Sequence, residues 1–327
     1  MPKPPVTVIY HADCLDGFGA AYAAWLHLGP DASYLAMHHG ENFDTDAIHG
    51  HQLFILDFSF PPPQLEAIAR LSHQTILIDH HKTVFDDWRP RMQTAADRID
   101  YQHPELPLRL ILDLTHAGTA LAWSFFHPQT ALPLPLLHIE ENDLWRFDHS
   151  NTRAFCQALR LKAFDFVLWH QTLSQAAHAD TPGYRAMIEQ GETLENFLNT
   201  EALRLAGGQL TLTAQLRGEP IDPLQALRHD IPIISNSENN WRTLYCPAIN
   251  APTLFASKLG NLLAAQSGTC GLTWHLASNG EIKASLRSQG DFDVAEIARR
   301  YGGGGHRNAA GFTLPASIFL HEVITMY

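Results

Sequence analysis

Three short apolar runs each end in acidic or imidazole side chains, and this repetition constrains the fold more than any other feature of the chain. Val6-Thr7-Val8-Ile9-Tyr10 leads into His11-Ala12-Asp13-Cys14-Leu15-Asp16-Gly17. Leu53-Phe54-Ile55-Leu56 leads into Asp57, and Gln74-Thr75-Ile76-Leu77-Ile78 leads into Asp79-His80-His81. Short runs rich in β-branched and aromatic residues, separated by helical stretches, read as buried parallel strands. In an open α/β sheet, ligands bind outside the carboxyl ends of the strands. Three strands therefore deliver Asp and His side chains to one edge of one sheet, a donor set for a metal that needs no thiolate.

The intervening segments fit this reading. Residues 17–28 are Ala-rich and stop at Gly29-Pro30, which predicts a helix. Ser59 is a candidate N-cap, with Pro61 to Pro63 in the first turn of a helix that continues over 64–71. Strand–helix–strand units at this spacing predict right-handed crossovers. Further helices are expected over 115–127 and 136–147, and 151–205 is expected to be mostly helical with a break at Pro182-Gly183. Beyond Gly207-Gly208 the composition shifts to strand-like pieces at 209–215, 243–247, 271–276 and 281–286, with helices at 253–265 and 292–301. The expected organisation is α/β: a parallel-sheet metal domain over 1–180, a helical connector over 181–205 and a smaller α/β domain over 206–327. The active site is expected in the cleft between the domains.

Composition excludes some functions. A chain of 327 residues with a formal charge of −12 gains little from counterion release, so long duplex DNA is not an expected partner. A short anionic substrate is still allowed, because metal ions and a few Arg or Lys residues invert the local field. Cys14, Cys156, Cys246 and Cys270 form no CxxC pair, which excludes a zinc ribbon. The segment Met1-Pro2-Lys3-Pro4-Pro5 lacks the apolar region of a signal peptide, and no apolar run approaches the ~20 residues of a membrane helix. A cytoplasmic location and no membrane partner are the expectations.

The candidate metal-ligating residues are His11, Asp13, Asp16, Asp57, His80, His81 and Asp143. Two divalent ions about 3.5–4 Å apart clamp a phosphoryl group and acidify a water, and such a pair needs carboxylates and imidazoles from several strands. Each residue also has a plain reading: Asp57 as a helix cap, Asp16-Gly17 as a turn, the His pair as incidental among 20 His. Three such sites at consecutive strand ends favour the metal. Cys14 reads as a small buried side chain rather than a thiol nucleophile.

A second signal lies in Tyr301-Gly302-Gly303-Gly304-Gly305-His306-Arg307-Asn308. Successive glycines let backbone N–H groups converge on an anion. A C-cap after the 292–301 helix would need only one Gly. Lys283-Ala284-Ser285-Leu286-Arg287-Ser288 reads as a strand exposing Arg287, a side chain suited to bidentate phosphate contact.

The Asp79-His80-His81 triplet, the preceding Asp motifs and Asp143 resemble the DHH phosphoesterases, and the glycine segment with Arg287-Ser288 resembles the DHH-associated domain. The resemblance covers nearly the whole chain. The family includes single-strand-specific exonucleases, nano-RNA and cyclic-dinucleotide phosphodiesterases, exopolyphosphatases and family II pyrophosphatases, typically with two Mn²⁺ ions. It implies that His11 and Asp13 hold one metal, that Asp16, His80 and Asp143 hold the other, and that Asp57 bridges. It implies that Asp79 orients His80 and that His81 faces the substrate phosphate. Arg287, Ser288, Gly304, Gly305 and His306 would contact substrate. The spacing H-x-D-x-x-D-G differs from the commoner forms, where the two Asp residues lie two apart, so the division of Asp13 and Asp16 between the metals stays open. The implied activity is hydrolysis of phosphodiester bonds in short oligonucleotides or small nucleotide diesters by metal-activated water, with Mg²⁺ or another divalent cation as alternatives to Mn²⁺. Hydrolysis of polyphosphate or pyrophosphate is the second reading, and a non-catalytic nucleotide sensor is a third. A homodimer is compatible with the resemblance.

Overall fold

The computed structural model describes residues 3–325 except His39, Asn42 and Ala95, so Met1 and Pro2 of the leader reading lie outside the described residues. The chain divides into two compact units, Met1–Asn196 and Phe197–Tyr327.

The first unit contains β1 (Val6–His11), α1 (Leu15–Leu28), β2 (Ser33–Met37), β3 (Gln52–Leu56), α2 (Pro62–Leu71), β4 (Gln74–Asp79) and α3 (Lys82–Met92). It continues with β5 (Arg98–Gln102), β6 (Leu108–Asp113), α4 (Gly118–Phe126), α5 (Leu134–Asp143), α6 (Thr152–Leu159), α7 (Phe166–Gln175) and the start of α8 (Pro182–Gly208). The sheet order is β2-β1-β3-β4-β6-β5. Every pairing is parallel except β5 with β6. The chain leaves β1 toward β2 on one side and returns to β3 on the other, so the strand order reverses between β1 and β3, where such sheets bind ligands.

Alternation along the strands sorts the core into two layers. Val8, Tyr10, Phe54, Leu56, Ile76 and Ile78 pack with Phe18, Ala122, Ile139 and Phe155 of α1, α4, α5 and α6. Ile9, Leu53, Ile55, Leu77 and Leu110 pack on the other side with Leu65, Ile68, Phe85 and Trp88 of α2 and α3. Both faces of the central strands are thus covered, which is why those strands read as continuous apolar runs. Each fully buried Leu, Ile or Phe contributes about 1.5–3 kcal/mol, so the layers fix the strand ends firmly.

Several element boundaries differ from those expected. Helix α1 begins at Leu15, which places Asp16 in its first turn. Ser59 does not cap α2: Pro61 takes the N-cap position and the Ser59 hydroxyl donates to the Phe60 carbonyl instead. Helix α5 stops at Asp143, four residues before the expected end, because the chain turns left-handed at Trp145. Pro182 opens α8, a position where its missing N–H costs nothing.

The second unit carries β7 (Leu212–Pro220), α9 (Pro223–Arg228), β8 (Ile233–Ser235), β9 (Asn240–Asn250), α10 (Ala256–Ser267), β10 (Cys270–Leu276), β11 (Glu281–Ser288), α11 (Val294–Arg299), β12 (Gly304–His306), β13 (Ala309–Pro315) and β14 (Ile324–Thr325). Its sheet runs β12-β13-β11-β10-β9-β7-β14, with β8 beside β9. Only β9 and β10 pair in parallel among these strands. The expected smaller α/β unit is therefore a mixed sheet. No helix among the described residues is long and apolar enough to cross a membrane.

Candidate metal centre

His11 is the last residue of β1, Asp57 directly follows β3, and Asp79 ends β4 with His80 and His81 next in the chain. The parallel register sets these three strand ends side by side. Asp57 has a φ of 51°, a left-handed backbone that a non-Gly residue adopts only where the surroundings impose it.

The His80 imidazole is the hub. Its Nε2 lies 3.1 Å from Asp57 Oδ1, 3.3 Å from Asp16 Oδ2 and 3.5 Å from Asp143 Oδ2. Asp57 turns its other oxygen to His11, with Oδ2 3.9 Å from Nδ1. An ion held octahedrally at about 2.1 Å sets neighbouring donor atoms about 3 Å apart. The spacings around His80 match such an edge, so the donor set fits a divalent cation. Three carboxylates gathered on one imidazole also carry more negative charge than that imidazole can balance.

The charges respond accordingly. Burial and then the Asp16 charge push the Asp57 carboxyl up to about 8, against the opposing pull of His80 and His81. Burial and Asp16 likewise raise Asp143 to about 6. Burial would also raise Asp16, but its hydrogen bond and charge interaction with His80, and then the Thr119 amide, hold it below the usual carboxylate range. Burial would lower His80, yet Asp16, Asp57 and Asp143 together raise it well above an ordinary imidazole.

The start of α4 holds Asp16. The Gly118 and Thr119 amides donate to its two oxygens at 2.6 and 2.8 Å, and the Thr119 hydroxyl donates to its carbonyl at 2.9 Å. Only Gly fits at 118: a Cβ there would lie 2.6 Å from Asp57 Cβ and 2.9 Å from Asp16 Oδ2. These positioning residues were not identified from the sequence. The available signal was Ala-Gly-Thr opening an apolar helix, with amides ready for an anion.

Asp79 plays a different part from the one the resemblance implies. Its Oδ1 accepts from His81 Nδ1 at 2.7 Å and from the His80 and His81 amides at 2.6 and 3.0 Å. It reaches His80 through the backbone and orients the His81 ring. The reason is local: as the last strand residue, Asp79 folds its carboxylate over the two amides that follow. Burial would lower His81, but the Asp79 charge and hydrogen bond raise it to about 9.

Asp13 stands apart from the cluster. Its side chain is 80% exposed, and Oδ2 lies 3.4 Å from His38 Nε2. Glu140 and Glu141, the neighbours most easily confused with Asp143, are engaged elsewhere. Glu140 accepts from His116 at 2.7 Å, and Glu141 binds His149 and Thr152. Cys14 lies near His11 and Asp57, but burial and the charges of Asp57, Asp143 and Asp16 push its thiol well up, which disfavours a thiolate.

In the second unit, Arg287 Nη2 donates to Ser257 Oγ at 2.9 Å and Nη1 to the Leu286 carbonyl. Burial lowers the guanidinium to about 10. The Ser288 hydroxyl donates to the Phe292 carbonyl at 2.6 Å and accepts from Asn308 at 3.0 Å, so it braces the turn. Gly304, Gly305 and His306 form β12, paired antiparallel with β13.

Fold and donor set together define an α/β chain with a carboxylate–imidazole centre at the carboxyl edge of its parallel sheet. The DHHA1 domain family matches residues 256–326. An uncharacterised protein, R106, of Acanthamoeba polyphaga mimivirus is 27% identical over 93% of this chain and 66% of its own length. Oligoribonuclease NrnB of Bacillus subtilis is 24% identical over 95% of this chain and 73% of its own. The chain thus spans about two thirds to three quarters of these relatives. A manganese complex of RecJ from Thermus thermophilus aligns over 97% of this chain and 50% of its own at 13% identity, with a TM-score of 0.43. The carboxy-terminal segment 256–326 thus matches the DHHA1 domain family, and nearly the whole chain is similar to R106 and NrnB.

Proposed function

We propose that this chain is a DHH-type phosphoesterase that uses two divalent cations, with Mn²⁺ preferred, to hydrolyse phosphodiester bonds in short oligonucleotides or small nucleotide diesters. The observation that carries the reading is Asp57, whose two oxygens face two different imidazoles, Oδ1 toward His80 and Oδ2 toward His11. A carboxylate so placed suits a bridge between two ions. Imidazole donors favour Mn²⁺ over Mg²⁺. The similarity to a protein named an oligoribonuclease supports the substrate class.

Asp16, His80 and Asp143 would hold one ion and His11 the other, with Asp13 as a further candidate. When bound, such ions offset developing phosphoryl charge and acidify a water near neutral pH. The chain supplies the rest. The α4 amides fix Asp16, and Asp79 fixes the His81 ring through Nδ1. With its proton held up to about pH 9, His81 presents positive charge suited to a phosphate oxygen. Arg287, Gly304, Gly305 and His306 are proposed to bind the part of the substrate beyond the scissile phosphate. Short phosphorylated substrates are the proposed partners.

The test is a screen of purified protein with Mn²⁺ against a dinucleotide, a cyclic dinucleotide, polyphosphate and pyrophosphate. Release of mononucleotide is expected. Release of inorganic phosphate alone would replace this reading with the phosphoanhydride one. Nucleotide binding with no turnover on any substrate would make the chain a sensor.

A further inference from the structure

Helix α5 delivers Asp143 and then ends in an unusual way. The Arg146 amide donates to the Glu141 carbonyl at 2.8 Å, the closure that follows a left-handed residue just past a helix end. That residue is Trp145, with a φ of 55°. The position is ordinarily Gly, which has no Cβ to strain. A bulky side chain is a poor choice there, and burial does not compensate, because Trp145 is 53% exposed. The fold therefore places a strained and exposed indole two residues, at most about 7 Å of chain, beyond a candidate metal ligand.

The surroundings of the indole are aromatic and cationic. Phe147 meets it edge-on with ring centroids 5.0 Å apart. The Arg153 guanidinium lies 5.3 Å from the Trp145 ring and 4.0 Å from the Phe147 ring. Aromatic faces beside an Arg suit a flat ligand that carries negative charge. We infer that Trp145, backed by Phe147 and Arg153, is the platform on which a substrate nucleobase stacks while its phosphate sits at the metal edge. The inference rests on the proposed phosphodiesterase reading and deepens it. Stacking would separate nucleotide diesters from inorganic polyphosphate, which has no base, and would tolerate any base because every base presents a π-face.

Trp145→Gly tests this, since Gly suits the left-handed position. The variant should fold, with a Tm equal to or above that of the parent. Its KM for a dinucleotide should rise at least about tenfold, while KM for an abasic dinucleotide of the same backbone stays within about twofold. Trp145→Phe should restore most of the dinucleotide KM. A second readout needs no turnover: adenosine monophosphate, titrated into Mn²⁺-loaded protein, should quench tryptophan fluorescence in the parent, and that component should vanish in Trp145→Phe. A lower Tm for Trp145→Gly with unchanged KM would make the indole structural and overturn the inference. Equal cleavage of the two dinucleotides by the parent would overturn it too, while leaving the phosphodiesterase reading intact. If the parent cleaves no diester yet its Trp145 fluorescence is quenched, the reading fails and the platform stands as a nucleotide site.

Discussion

At the edge of the first sheet, Asp16, Asp57 and Asp143 turn their carboxylates toward a single imidazole, and the residues matter for their side-chain charge. In the second unit, the glycine segment matters for what its residues lack. A Cβ on Gly303 would lie 2.1 Å from the Gly311 carbonyl oxygen. One on Gly305, at a φ of 135°, would lie 2.6 Å from the Ala309 oxygen. Close approach of β12 to β13 thus accounts for these glycines, and Gly302 supplies the left-handed turn after α11. Two motifs of equal prominence in the sequence do different physical work. One gathers buried charge that is unfavourable until a cation neutralises it. The other lets two backbones meet, while nearby Ser288 braces the turn to Phe292 and Arg287 reaches Ser257.

The largest effect should come from the charged side of this contrast. Asp57→Asn should lower turnover by more than ~100-fold and abolish tight binding of at least one ion, in line with the loss of a central electrostatic group. Circular dichroism should be unchanged, and the chelated variant should melt no lower than the parent, because a buried carboxyl raised to about 8 is being removed. Retention of more than a tenth of the parent rate would break the bridging assignment. Gly118→Ala should come next. Its Cβ would push on Asp57 and Asp16 together, and metal affinity should fall about 10–100-fold, the range for lost supporting contacts around ligands. Calorimetric titration with Mn²⁺ measures it, and an unchanged affinity would show that the close approach at α4 is not what positions Asp16.

The contrast also explains what was legible in the sequence. Phe54-Ile55-Leu56-Asp57 and Leu110-Ile111-Leu112-Asp113 are nearly the same string, each a strand that runs into Asp. Asp57 faces His80, whereas Asp113 accepts from the Thr115 amide and hydroxyl at 2.8 and 2.6 Å and serves a turn. Both strands flank β4, and what separates them is the side to which the His80 ring turns: it meets Asp57, a choice that the string itself does not encode. Strands β1, β3 and β4 were readable because both faces are buried. Strands β2 and β5 were missed because they lie at the sheet edges and carry exposed residues such as Leu35, Arg98 and Asp100, and β6 was missed because Arg109 interrupts its apolar run. The grip of α4 on Asp16 spans 102 residues of sequence and is made by backbone amides, so no side-chain motif could announce it. In the second unit the glycines stood out, but their reading as an anion cradle rested on counting them, and the antiparallel partner that requires them appeared only in three dimensions.

Protonation sharpens the same contrast with a smaller effect. In chelated protein, Asp57 is raised to about 8 and His81 to about 9, both above their unfolded values. Each binds more protons folded than unfolded, so its contribution is complete below the unfolded value, about pH 4 for the carboxyl and about 6.5 for the imidazole. It is lost as pH rises through the folded value. Chelated protein should therefore lose thermal stability steadily from mildly acid pH to pH 9. Ion binding requires deprotonated ligands, so with Mn²⁺ added the trend should reverse over the same window. Parallel melting curves with chelator and with Mn²⁺ check this, and slopes of the same sign would show that the cluster does not govern the pH response.

The smallest expected effect tests the other side of the comparison. The Ser288 hydroxyl is buried and donates to the Phe292 carbonyl, with Asn308 donating to it in turn. Removing it in Ser288→Ala deletes both of these hydrogen bonds and leaves the Phe292 carbonyl short of a partner. The cost should be about 1–2 kcal/mol of stability, a drop of a few degrees in Tm. Because the hydroxyl is already committed within the turn, kcat/KM on a dinucleotide should stay within about twofold of the parent, and Mn²⁺ affinity should not move. The opposite pattern, an unchanged Tm with kcat/KM down about tenfold, would mean that the hydroxyl leaves Phe292 for the substrate, as the family resemblance implies. The glycine segment would then be a binding element whose brace opens on use, and the division between a charged edge and a backbone hairpin would not hold.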